Sequence, residues 1–142
     1  MVDALKESAR VLVQGGTLLD LRPISGKNPI DVVTAASATA VVELDAFGAA
    51  ADDMVADGAV RHALAEGWLL LKETSHFDFE LYWDSVEEME SSLRQSRRLR
   101  DAKVDYPALE TRLRERSVEG HARICCHRTM MLNVCLAHAG IE

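Results

Sequence analysis

Four groups of side chains have the types and spacing for chemistry. Asp20 and Arg22 stand two apart at the end of an apolar run, Thr17–Leu21. A carboxylate and a guanidinium beyond the carboxyl end of a strand can hold a polar ligand, where open α/β sheets bind theirs. A mutual ion pair explains the same two residues without a ligand. His76, Asp78 and Glu80 alternate along a second run, with Tyr82 next in the series. A histidine beside carboxylates can pass a proton near neutral pH, and a solvated strand face gives the same alternation. His121, Cys125 and His127 combine imidazole and thiol donors, a mixture that suits zinc. Residues two apart on a strand lie about 7 Å from each other along it, and no CxxC or HxxxH spacing accompanies them. No fourth ligand is identified, so no metal is assigned and no cofactor is expected. Arg94, Arg97, Arg98, Arg100 and Lys103 gather near a helix C-terminus, where cations suit the helix dipole. No aromatic residues interleave with them to stack bases.

The elements that must position these groups can be read from periodicity. A first helix is expected over 4–13, with Asp3 as its N-cap and Gly15 and Gly16 as its stop. Thr17–Leu21 reads as a strand apolar on both faces, hence buried in a sheet. Pro23, Gly26 and Pro29 mark a loop. The Val-, Thr- and Ala-rich stretch 31–44 predicts two short strands with a turn near Ser37. A second helix is expected over 53–66, burying Ala56, Ala59, Val60, Ala63 and Leu64 and ending at Gly67. Between Trp68 and Trp83, the positions Leu69, Leu71, Phe77, Phe79, Leu81 and Trp83 share one parity, and Lys72, Thr74, His76, Asp78 and Glu80 the other. That alternation predicts a strand with one face on the core. Ser85 and Glu88 form a capping box for a helix over 86–100, and Asp105 with Pro107 starts another. The last strand, 121–136, places Ile124, Cys126, Met130, Leu132, Val134 and Leu136 on its apolar face, interrupted by Arg128. Cys126 reads as a small core hydrophobe.

At 142 residues the chain is expected to form one domain, 1–142, large enough for its own core. No apolar run approaches the roughly 20 residues needed to span a bilayer, and the N-terminus lacks a signal-peptide pattern. No membrane association is expected, and the default location is the cytoplasm. Three cysteines, two of them adjacent, argue against a secreted disulfide framework. Sixteen Lys and Arg against 23 Asp and Glu give a net charge of −7, which disfavours nucleic-acid binding through phosphates.

Arg10, Val11, Leu12, Val13, Gln14, Gly15, Gly16, Thr17 and Leu18 form a helix-Gly-Gly-strand phrase. It resembles the "R-V-L-K-P-G-G-x-L" phrase that class I S-adenosylmethionine-dependent methyltransferases carry between the fourth helix and the fifth strand. Val13 and Gln14 depart from it. The order of elements after the phrase is similar too: a helix, a strand, helical matter and a final antiparallel strand, with the 31–44 hairpin as an insertion. The resemblance implies the C-terminal half of such a Rossmann-like protein, without the N-terminal half that binds the cofactor. The glycine-rich turn and ribose-binding carboxylate of that half have no counterpart here, so methyltransferase activity is not expected of this chain alone.

The expected fold is α+β, a mixed, mainly antiparallel sheet covered by helices. The expected role is a non-catalytic, methyltransferase-derived interaction domain that self-associates, most simply as a homodimer, or that joins a separate methyltransferase-like chain. The alternative is a small-ligand binder or enzyme with a pocket near Asp20, Arg22 and the His76–Tyr82 strand.

Overall fold

A computed structural model describes residues 1–118 and 120–138. The element order is α1 (Val2–Val11), β1 (Thr17–Pro23), β2 (Lys27–Val33), β3 (Ala38–Asp45), a short 3-10 turn (Phe47–Ala49), α2 (Ala50–Ala65), β4 (Leu69–Trp83), α3 (Val86–Gln95), α4 (Tyr106–Ser117) and β5 (Arg123–Ala137). The architecture is α+β, with one five-stranded sheet of order β1-β5-β2-β3, in which β4 also pairs with β5. β1 lies antiparallel to the C-terminal part of β5, from Thr17 opposite Leu136 to Pro23 opposite Met130. β2 lies antiparallel to β3 along its length and to Arg123–Cys126 of β5. No helix among the described residues is long and apolar enough to cross a membrane.

The chain divides into two compact units. The first comprises Met1–Ile24, Ala51–Phe77 and Met130–Glu142. Its core gathers Ala9 of α1, Ala63 of α2, Leu69 of β4 and Cys135 of β5, with Leu5, Leu18, Leu64 and Trp68 packed around them. The second comprises Ser25–Ala50 and Asp78–Thr129. Here Met89 and Leu93 of α3 and Leu109 of α4 pack with Ile30, Val32, Leu44, Trp83, Ile124 and Cys126.

Several elements differ from their sequence expectation for identifiable reasons. α1 begins at Val2, so Asp3 sits in its first turn and not at its N-cap, where its charge still favours the helix dipole. β1 is not buried on both faces: Leu19 is 62% and Leu21 53% exposed. β5 is the one strand that the sheet order sets beside β1. Pro29 lies inside β2 and not in a loop. Its pairing with β5 begins only at Ile30, so the missing N–H of Pro29 removes no bond on that side. α3 ends at Gln95, five residues early, because Ser96 adopts an extended ψ of 119°; Leu99 then turns back into the core. The predicted core face of β4 is buried only at its ends, Leu69 and Trp83, while Leu71, Phe77 and Phe79 stay exposed.

Other local signals fold as their chemistry dictates. The Ser85 hydroxyl accepts the Glu88 N–H at 3.1 Å, and the Glu88 carboxylate accepts the Asp84 N–H. Asp105 caps α4 by accepting the Ala108 N–H, with Pro107 in the first turn. Gly67, with φ of 71°, ends α2 in the left-handed region that other residues rarely adopt.

Candidate functional site

Asp20 and Arg22 do meet. Arg22 donates through Nε to Asp20 Oδ1 at 2.8 Å and through Nη2 to Oδ2 at 2.9 Å, and its Nη1 lies 3.0 Å from Asp57 Oδ1 of α2. Alternation explains the placement: Leu18, Asp20 and Arg22 share one parity, and Leu18 packs into the core of this unit. The cross-strand partner of Asp20 is Asn133. Its amide donates to Asp20 Oδ2 at 2.9 Å, and its carbonyl oxygen accepts the Thr74 hydroxyl at 2.8 Å. Burial disfavours the Arg22 cation, but Asp20 and then Asp57 outweigh it and raise its pKa above the ordinary arginine value. An open depression of about 280 Å³ lies beside the network, lined by Arg61, Leu71 and Met131 besides Arg22, Asp57 and Asn133. The guanidinium fork is committed to two carboxylates, so the network holds α2 to the sheet and presents no vacant cation.

The second unit carries the denser group. Asp31 of β2 is the cross-strand partner of Cys125 of β5, and His127 follows two residues on. His127 Nε2 lies 3.1 Å from Asp31 Oδ2 and 3.7 Å from Cys125 Sγ. Its Nδ1 lies 3.5 Å from Glu80 Oε1 of β4. The Tyr82 hydroxyl donates to Glu80 Oε2 at 2.7 Å, and Arg123 lies over the Tyr82 ring at 5.1 Å. Hydrogen bonds to Glu80 and then Cys125 raise the Tyr82 pKa. Burial pushes the Cys125 thiol up, and the Tyr82 hydrogen bond only partly offsets this. With Cys125 buried to 1% exposure and held as a thiol, the group lacks an accessible thiolate nucleophile.

The remaining predicted residues fall elsewhere. His76 is exposed. Asp78 accepts the Thr129 hydroxyl at 3.5 Å, so of the His76–Tyr82 series only Glu80 and Tyr82 join the Cys125–His127 group. His121 pairs with Asp84 at 3.5 Å and is largely exposed. In the basic cluster, Arg94 pairs with Glu90, Arg100 lies 3.6 Å from Asp101, and Lys103 is tied to Asp45 through backbone bonds. A larger cavity of about 530 Å³ is lined by Ala40, Asp105, Ala108, Thr111 and Glu115, none of them a predicted site residue.

Sequence reasoning missed Asp31, Asp57, Thr74 and Asn133. Cys125 and Cys135 carried a signal: they are apolar on the parity of β5 read as polar, and the buried parity does change from even at 124–128 to odd at 133–137. Comparisons with protein-family models, with curated proteins and with solved structures found no match.

Proposed function

We propose that this chain is a non-catalytic interaction domain that assembles with a second copy of itself through the free edge of β1. One observation carries the reading. β1 is a terminal strand of the sheet order, and its exposed residues include Leu19 and Leu21 but no free charge. Its only charged side chains, Asp20 and Arg22, are folded onto each other and onto Asp57. Proteins usually guard a bare edge with charges. β4 follows that rule, because Lys72, Glu73, His76, Asp78 and Glu80 interrupt its exposed Leu and Phe residues. Among the described residues β1 has no such guard. An antiparallel pairing of β1 with its own copy satisfies the same groups twice under a two-fold axis, the commonest symmetry of soluble oligomers. Val11 and Val13, exposed just before β1, extend the apolar surface.

A methyltransferase origin is supported by the helix-Gly-Gly-strand phrase at Arg10–Leu18 and by a final strand antiparallel to β1. A non-catalytic role is supported by glycine placement. The positive-φ glycines of the described residues, Gly15, Gly26, Gly67 and Gly120, precede strands, and none opens a strand-to-helix turn that could admit a cofactor. A cytoplasmic location is supported by three free cysteines. The ligand-binding alternative near Asp20 and Arg22 draws less support, because their charges are already mutually satisfied.

Sedimentation equilibrium at micromolar concentration tests the reading. The wild-type chain is expected at twice its 15.6 kDa mass. The Leu19→Glu variant is expected at the monomer mass with its melting transition retained. A wild-type monomer at these concentrations overturns the proposal.

A further inference from the structure

We infer that Glu80, Cys125 and His127 form a binding site for a zinc-class divalent cation, with Asp31 orienting the imidazole. Three strands converge on it: Asp31 from β2, Cys125 and His127 from β5, and Glu80 from β4. The spacing along β5 argued against a shared ion, yet the two side chains lean together until Sγ and Nε2 are 3.7 Å apart. Tetrahedral zinc with bonds of about 2.3 Å to sulfur and about 2.1 Å to nitrogen and oxygen needs S···N near ~3.6 Å and N···O near ~3.4 Å. One ligand atom from each of Glu80, Cys125 and His127 lies within 4.8 Å of the other two, and the 3.5 Å from Glu80 Oε1 to His127 Nδ1 matches the N···O edge.

The donor chemistry agrees. One thiol, one imidazole and one carboxylate form a mixed S, N, O set that suits zinc and is poor for magnesium or calcium, which prefer oxygen alone. Asp31 faces the other ring nitrogen, Nε2, at 3.1 Å. A carboxylate there accepts the Nε2 proton, which leaves Nδ1 free to bind metal, the arrangement by which outer carboxylates fix ligating histidines. Glu80 is itself anchored by the Tyr82 hydroxyl. Binding to Cys125 releases the thiol proton to solvent as the thiolate forms its bond to the metal.

The experiment uses the full chain and the metal alone. Cobalt(II) titration is expected to saturate at one ion per chain, with a thiolate-to-cobalt charge-transfer band and intense visible bands of tetrahedral geometry. Excess zinc should erase both. Cys125→Ser should lose the charge-transfer band, and His127→Gln should lose stoichiometric binding. Asp31→Asn should weaken zinc binding roughly tenfold or more, as outer-shell losses do. His121→Gln, remote from these donors, should bind as wild type does. Should a variant fail to fold, the wild type still decides: zinc should raise its melting temperature. No cobalt spectrum, a weak octahedral spectrum without charge transfer, or unchanged binding in a folded Cys125→Ser variant would overturn the site.

Discussion

The Arg22 guanidinium and the Asp20 carboxylate form a two-bond fork, Nε to Oδ1 at 2.8 Å and Nη2 to Oδ2 at 2.9 Å, with side chains only 15% and 14% exposed. Bidentate pairs of this type are among the stronger polar contacts in proteins. Arg22→Met removes the cation and leaves Asp20 and Asp57 facing each other without it. The expected loss in urea denaturation is about 2–3 kcal/mol, at the lower edge of what breaking a buried pair costs, because Asp57 is half exposed. A loss below about 0.5 kcal/mol would mean that the pair is surface decoration.

Cys126 gives stability a pH dependence. Burial pushes its thiol up to about 12 in the folded chain, against about 8.5 in an unfolded one. Below the unfolded value the thiol is neutral in both states and its contribution is fully present. As pH rises from there toward the folded value, only the unfolded chain releases the proton, so stability falls. The slope approaches about 1.4 kcal/mol per pH unit. Denaturation midpoints between pH 8 and roughly 10.5 should therefore fall more steeply for wild type than for Cys126→Ala. Parallel slopes would show that Cys126 is not the group responsible.

Among the described residues the glycines that adopt positive φ precede strands, and the proposed non-catalytic reading expects no S-adenosylmethionine binding. Titration calorimetry with the cofactor at about 100 μM should give no binding heat. A dissociation constant near 1 μM, about −8 kcal/mol, would restore a catalytic reading.

Most of the fold was legible where one local signal acts alone. Ser85 with Glu88, Asp105 with Pro107, and the turn before Ala38 each satisfy their own backbone groups, so no distant residue can overrule them. Burial was less legible because it depends on neighbours. Leu19 and Leu21 look like core residues by type, and Phe77 and Phe79 by parity, yet all four are exposed. The Asp20–Arg22 pair was readable because its members lie two apart on one strand. Asp57 and Asn133 come from distant elements, and no spacing links them to β1. Cys125 and His127 were visible as donors, but Asp31 and Glu80 join them only through pairing across β2, β5 and β4.

Self-association through β1 can be read as a distance. Cys125, Cys126 and Cys135 are buried, so a nitroxide reagent should react with the exposed residue of a Leu19→Cys variant and leave them untouched. β1 has seven residues, and at about 3.4 Å per residue any antiparallel pairing with its copy keeps the two position-19 sites within about 30 Å. Pulsed dipolar spectroscopy on the labelled chain should show one narrow distance distribution below that limit, lost when excess unlabelled wild type is mixed in. A sample without dipolar coupling, or a dimer whose labels lie well beyond that limit, would contradict association through this edge.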